Sequence, residues 1–325
     1  MTLPDVLRTP LTLPVMGAPM FLASGPELVT AQCQAGVIGT FPALNARPAS
    51  RLAEWLDQID RENTAFSAAH PDAIVAPFGV NLIVHKTNDR LEEDLATIVD
   101  HRVPIIVTSL GVNTDVIEAV HSYGGIVLHD VVNDRFARKA VAAGADGLIA
   151  VAAGAGGHGG NISPFALVQE IRQWFDGPLL LSGALGHGRS ILAALAAGAD
   201  LAYVGSSFLA TEEATAVPEY KEMVIGATAA DIVNSDKFTG VPANYLRGSI
   251  EAAGIDPASL SSLTPGALTV DGDDGAGGPR PWRDIWGCGQ GVATSNSLTT
   301  VRELVSRLSQ EFESASDELA ARLRR

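Results

Sequence analysis

Cysteine is nearly absent: Cys33 and Cys288 are the only two, and they lie far apart. Such a pair offers no disulfide framework and no paired-cysteine metal site, and it suits a reducing compartment. Basic residues are scarce too. Lys and Arg number 22 against 37 Asp and Glu, a net charge of −15 at pH 7, so nucleic acid and anionic membrane surfaces are both poor electrostatic partners. No apolar run approaches the roughly 18 residues that a membrane span requires. The start, M-T-L-P-D-V-L-R, has no basic segment leading into an apolar one, as a secretory signal would. Together these lacks predict a cytoplasmic protein. Also missing are H-E-x-x-H, a Cys–His cluster and a Ser-His-Asp order, so no metal is expected and triad-hydrolase readings have no residues.

What is present is a regular alternation. Hydrophobic residues make up 46% of 325, enough for one large domain, or one with a smaller cap. Short apolar runs predict strands at 13–16, 36–40, 79–83, 105–108, 126–128, 148–152, 179–181 and 201–204. Helical patterns lie between them, near 26–35, 50–62, 88–101, 113–121, 133–143, 164–175 and 188–197. Several strands are apolar without alternation, as in a parallel sheet buried on both faces. A-A-G-A-D closes two of the helices, at 142–146 and 196–200, a faint repeat of one βα unit with glycine at the helix exit. Eight strands separated by helices predict an α/β fold, a TIM (β/α)8 barrel over 1–215. A doubly wound open sheet is the alternative. After Val204 the rhythm stops, and 216–325 is expected to form a smaller, mostly helical capping region. Within it, 271–281 reads as an exposed loop. The stretch from Leu298 onward reads as an amphipathic helix on the barrel exterior or against a second subunit of a homodimer.

One stretch carries the chemistry: G-L-I-A-V-A-A-G-A-G-G-H-G-G, Gly147 to Gly160. An apolar strand runs into a glycine cluster that holds a single titratable side chain, His158, and a helix start, Ser163-Pro164, follows. Glycine lets backbone approach a ligand closely, and the imidazole would touch whatever lies on it. Gly154, Gly156 and Gly159 also satisfy G-x-G-x-x-G. That dinucleotide fingerprint belongs in a first βαβ unit with an acidic residue ending the next strand. Here the unit is central and the next strand ends in Ser182-Gly183, so a Rossmann reading fails.

In a barrel, function sits at the C-terminal strand ends. Those ends carry Ala18-Pro19-Met20, Asn81, Thr108-Ser109, His129-Asp130, His158, Ser182-Gly183-Ala184 and Gly205-Ser206. The last two groups occupy the slots where barrels hold phosphate on backbone amides. Asn81 is depleted in strands by propensity, which favours a ligand contact. His129 reads either as a core histidine or as a cofactor contact, and Asp130 as a cap of the following helix, with orientation of a histidine as the alternative. His187 and Arg189 fall on a helix and carry no chemistry, and His70, His85, His101 and His121 stand without a constellation.

A-P-M at 18–20, the glycine loop with histidine at 154–160, and S-G-A-L-G-H-G-R…A-A-G-A-D-L-A-Y-V-G-S-S-F at 182–208 resemble the nitronate monooxygenases. The resemblance covers about residues 13–215. It implies a TIM barrel with non-covalently bound FMN, a capping region over the site, and a catalytic histidine at His158. With the strand-end placement above, cofactor contacts are expected at Ala18, Pro19, Met20, Asn81, Thr108, His129, Gly156, Gly157, Ser182, Gly183, Ala184, Gly205 and Ser206. Two departures stand out. Gly159 follows His158 directly, and Val151-Ala152-Ala153 stands where the family often carries a glutamine. The implied activity is oxidation of alkyl nitronates by O2 to a carbonyl compound and nitrite, with a small-molecule substrate. The alternative is an NAD(P)H-dependent FMN reductase of quinones or enoyl thioesters. A non-enzymatic binding module is disfavoured by the histidine.

Overall fold

The computed structural model describes residues 3–268 and 279–324. The predicted loop at 271–281 therefore lies, up to residue 278, outside the described residues. Among the described residues eleven strands run in chain order: β1 (Val15–Gly17), β2 (Gly39–Pro42), β3 (Phe78–Ile83), β4 (Ile105–Ser109), β5 (Ile126–Val131), β6 (Gly147–Val151), β7 (Gly157–His158), β8 (Leu179–Ser182), β9 (Leu201–Val204), β10 (Ile232–Ser235) and β11 (Ala243–Leu246). Eight of them form one parallel sheet in the order β1-β9-β8-β6-β5-β4-β3-β2. A parallel bridge between Met16 and Ile38 joins its two edges, with Gly17 N–H donating to Ile38 O at 2.7 Å. The sheet is thus a TIM barrel, as expected, and the open doubly wound alternative falls with that closure.

The helices are α1 (Asp5–Arg8), α2 (Pro26–Gln34), α3 (Arg51–Ala69), α4 (Leu91–Asp100), α5 (Thr114–His121), α6 (Asp134–Ala142), α7 (Pro164–Arg172), α8 (Gly188–Ala197), α9 (Ser206–Leu209), α10 (Pro218–Gly226), α11 (Arg247–Ala252) and α12 (Val301–Leu323). None of the described helices is long and apolar enough to cross a membrane. Strand alternation divides the core in two. Ile105, Val107, Leu128, Ile149, Leu180, Leu201 and Tyr203 fill the barrel interior, joined by Leu7 of α1. Val80, Leu82, Ile106 and Val127 point outward onto Leu52, Leu56 and Ile98 of the helices.

The A-A-G-A-D repeat has a structural reason. Gly144 (φ +102°) and Gly198 (φ +113°) turn the chain out of α6 and α8. The aspartate two residues later reaches back to the start of the preceding strand. Asp146 Oδ2 accepts from Val127 N–H at 2.7 Å, and Asp200 Oδ2 accepts from Leu179 N–H at 2.8 Å. Both contacts lie at the strand N-termini, the end of a barrel that serves stability.

The region after the barrel differs from expectation in one respect: it adds strands. β10 and β11 pair antiparallel, and β11 pairs with β7 of the glycine loop. The long C-terminal helix packs on the barrel exterior. Leu304, Val305 and Leu308 of α12 meet Leu28 of α2 and Ile191 of α8, and Glu311 Oε2 accepts from Gly188 N–H at 2.9 Å. Its start is fixed by a reciprocal cap between Thr300 and Glu303.

Candidate active site

A cavity of about 1290 Å³ opens at the C-terminal ends of the barrel strands. It is bordered by Ala18, Pro19, Met20, Asn81, His129, Gly156, Gly157, His158, Ser182, Gly183, Ala184, Gly205 and Ser206. These are twelve of the thirteen expected cofactor contacts together with the expected catalytic histidine. The exception is Thr108.

His158 is placed by the second sheet. Gly157 and His158 form β7, in register with Asn244 and Ala243 of β11. Asn244 Nδ2 also donates to Ala155 O at 2.6 Å, so one cap strand holds the loop through both backbone and side chain. His158 Nε2 lies 3.1 Å from Thr239 Oγ1. The ring meets Trp282 edge-on, with centroids 5.1 Å apart, and Tyr245 backs Trp282 at 5.2 Å. Burial lowers the His158 pKa from its ordinary value of 6.5, because desolvation penalises the cation. The imidazole is therefore neutral at pH 7, a hydrogen-bonding and proton-accepting group and not a fixed positive charge.

The side of the cavity where the sequence predicts a phosphate is built from backbone. Gly183 (φ +138°) and Ala184 (φ +57°) both take positive φ, and a Cβ on Gly183 would lie 2.7 Å from Ala153 O. Ala184 N–H donates to Gly154 O at 3.3 Å. The amides of Gly183, Gly205 and Ser206 have no protein acceptor among the described residues. Three amide donors without partners beside a nest-like turn fit an anion. The donor chemistry therefore suits the phosphate of FMN without any basic side chain.

On the barrel floor, Asn81 Nδ2 donates to Val107 O at 3.1 Å and to Ser109 Oγ at 2.8 Å. Ser109 Oγ in turn donates to Asp130 Oδ2 at 2.5 Å. Asp130 Oδ1 is buried without a partner, and burial pushes the Asp130 carboxyl up to about 6 against the lowering effect of Ser109. Asp130 thus faces the interior and does not cap α6. The cap is Asn133, whose side chain accepts from Phe136 N–H. Ser109 and Asp130 sit on the inner face of their strands. Thr108 and His129 sit on the other, helix-facing side, bonded to each other at 2.7 Å, and burial lowers the His129 pKa to about 4. His129 is therefore a core histidine bonded to a hydroxyl. Of this pair only His129 borders the cavity.

Sequence reasoning missed a seam contributed by residues 286–294. Gly289 N–H donates to Ser206 Oγ at 2.8 Å, and Gln290 N–H donates to Gly154 O at 2.9 Å. Thr294 Oγ1 donates to Gly186 O at 2.5 Å. One segment thus touches the His158 loop and the loops that follow β8 and β9. A Cβ on Gly156 would lie 2.8 Å from Gly289 N, so only glycine permits the approach. The available signal was the spacing of Gly287, Gly289 and Gly291. Thr239 and Trp282, in loops, and Asn244 and Tyr245, in β11, gave none.

Comparison with known proteins places this arrangement. Residues 87–311 match the nitronate monooxygenase family, which is most of the chain. The chain belongs to the nitronate monooxygenase family. It is accordingly an oxidoreductase of the flavin type. A nitronate monooxygenase of Paraburkholderia phytofirmans is 25% identical, covering 94% of both chains. A protein of Mycobacterium tuberculosis that bears the name putative monooxygenase is 37% identical over 149 residues, but the match spans only 45% of this chain and 40% of that protein. Among solved structures, FabK of Thermotoga maritima superposes with a TM-score of 0.77 at 26% identity, covering 98% of this chain and 97% of that one.

Proposed function

We propose that the protein oxidises alkyl nitronates with O2 to a carbonyl compound and nitrite, using non-covalently bound FMN. The observation that carries the reading is that His158 and the unpartnered amides of Gly183, Gly205 and Ser206 border one cavity. Those amides would hold the cofactor phosphate. Ala18-Pro19-Met20, Asn81, Gly156, Gly157, Ser182 and Ala184 line the space for the ring. FMN would supply the redox chemistry, while the protein supplies placement and electrostatics. His158, neutral and held by Thr239, would hydrogen-bond a nitronate or take the α-proton from a neutral nitroalkane as general base. Thr108 would act as support behind β4, bonded to His129 Nδ1, while His129, which borders the cavity, would present its other edge to the cofactor.

Denatured holoprotein should release FMN and not FAD, because the site offers one phosphate cradle. His158→Asn should retain the flavin and lose about 10²- to 10⁴-fold in turnover of neutral nitroalkanes, the usual worth of general acid–base help. The loss should be smaller with preformed nitronates, which need no deprotonation. Equal rates for wild type and variant on both substrate forms would remove His158 from the mechanism. Rapid anaerobic bleaching of the flavin by NADH or NADPH would instead favour the reductase alternative.

A further inference from the structure

Three of the exposed large hydrophobic residues border the cavity: Leu110 at 45% exposure, Phe136 at 43% and Val241 at 43%. Leu110 follows β4, Phe136 lies on α6 after β5, and Val241 accepts at its carbonyl from Thr239, the residue bonded to His158 Nε2. Leu110 holds a positive φ of +63°, a conformation that costs a leucine energy. Exposed apolar groups gathered at one rim mark a binding surface.

The charge at that rim runs against the chain. Of 37 acidic residues in the sequence, Asp130 is the one that borders the cavity among the described residues, and it is tied down by Ser109. Lys139 also borders the cavity. It lies three residues after Phe136 on α6, so the two share a helix face. Its neighbour Arg138 pairs with Asp134 at 2.7 Å, whereas Lys139 has no carboxylate partner among the described residues. A protein of net charge −15 thus keeps at the mouth an ammonium with no carboxylate partner among the described residues, one helical turn from the exposed Phe136.

The geometry points to a substrate with an extended apolar body that ends in an anion, the body against Leu110, Phe136 and Val241 and the anion at Lys139. This rests on the cavity being the reaction site and names what enters it: not a nitroalkane of a few carbons, but a chain whose reactive end reaches His158 while its charged end stays at the rim. The cavity volume of about 1290 Å³ exceeds the roughly 300–1,000 Å³ of an ordinary ligand pocket, leaving room for such a chain beside a cofactor.

The test reads binding, not turnover. Hexanoate, octanoate, octyl phosphate and 1-octanol are titrated into the flavin-loaded protein by calorimetry at low salt. Octanoate should bind more tightly than hexanoate, by up to about fourfold per methylene if each is fully buried. Octanoate and octyl phosphate should each exceed octanol by up to about fivefold, the range of an exposed ion pair. Lys139→Gln should remove the advantage of both anions over the alcohol, and Phe136→Ser should flatten the chain-length dependence. Both residues are exposed, and unchanged melting temperatures would show that the variants fold. Absence of chain-length dependence, or an anion advantage that survives Lys139→Gln, would overturn the inference. An advantage for the phosphate alone would also overturn it, since the point charge of Lys139 would favour both anions. Nitronate turnover without these binding differences sinks this inference and leaves the activity standing, and the reverse result sinks the activity alone.

Discussion

Gly156→Ala tests whether the seam from residues 286–294 holds the active-site loops together. The added methyl would lie 2.8 Å from Gly289 N and 3.0 Å from the Cys288 carbonyl carbon. Both are backbone atoms that cannot rotate away, so one strand of the seam must move. Overpacking of this kind costs about 1–3 kcal/mol. The movement also strains two hydrogen bonds, Gly289 N–H to Ser206 Oγ at 2.8 Å and Gln290 N–H to Gly154 O at 2.9 Å, each worth about 0.5–1.5 kcal/mol. A destabilisation of about 2–6 kcal/mol is expected if the seam stays docked. If it undocks, the loss appears instead as weaker flavin binding, because Ser206 and Gly154 belong to the walls of the cavity. Gly159→Ala is the internal control. In the same loop, its added methyl would find nothing closer than 3.4 Å, so its effect should stay within about 0.5 kcal/mol. Melting temperature and flavin dissociation constant, measured together for wild type and both variants, decide the matter. Equal behaviour of the two alanine variants would refute the seam as a structural element of the site.

Asp130→Asn should raise stability at pH 7 and have little effect near pH 4. Burial lifts the folded-state carboxyl to about 6 from 3.8, so the native state binds more protons between those values and wild-type stability falls as pH rises through them. Thermal melts of both proteins from pH 4 to pH 8 check the sign, and a variant less stable than wild type at pH 7 would contradict it. Arg90→Met should cost about 3–5 kcal/mol, since it strands Asp94, 1% exposed and paired with Arg90 at 2.7 Å, and also removes donors to Ala43 O and Ala46 O. Chemical denaturation measures this, and restoration by Arg90→Met combined with Asp94→Leu would identify the unpaired carboxylate as the cause. With neutral nitroalkanes, kcat/KM should fall on its acid side at a pH below the ordinary histidine value, because burial lowers the His158 pKa. A limb at or above 6.5 would contradict the desolvated setting.

Local sequence determined the barrel because each of its units is self-contained. An apolar run of three to six residues, a helical period and a glycine exit such as Gly144 or Gly198 recur, and only closure of the sheet buries every run. The same logic fixed the strand ends, and so brought Asn81, His158, Gly183 and Gly205 to one rim. What local sequence did not decide is which face a residue presents at that rim. Ser109 and Asp130 face the cavity, and Thr108 and His129 face the helices, because a strand alternates with period two and the exact pairing of β4 with β5 sets the phase. Nor did it reveal the cap's hold on the site. The pairing of β11 with β7, Thr239 against His158, and the glycine seam at 287–291 join residues some 80 to 135 positions apart in sequence. Contacts of that span leave no periodic signature in either partner, so only the tertiary structure brings them together.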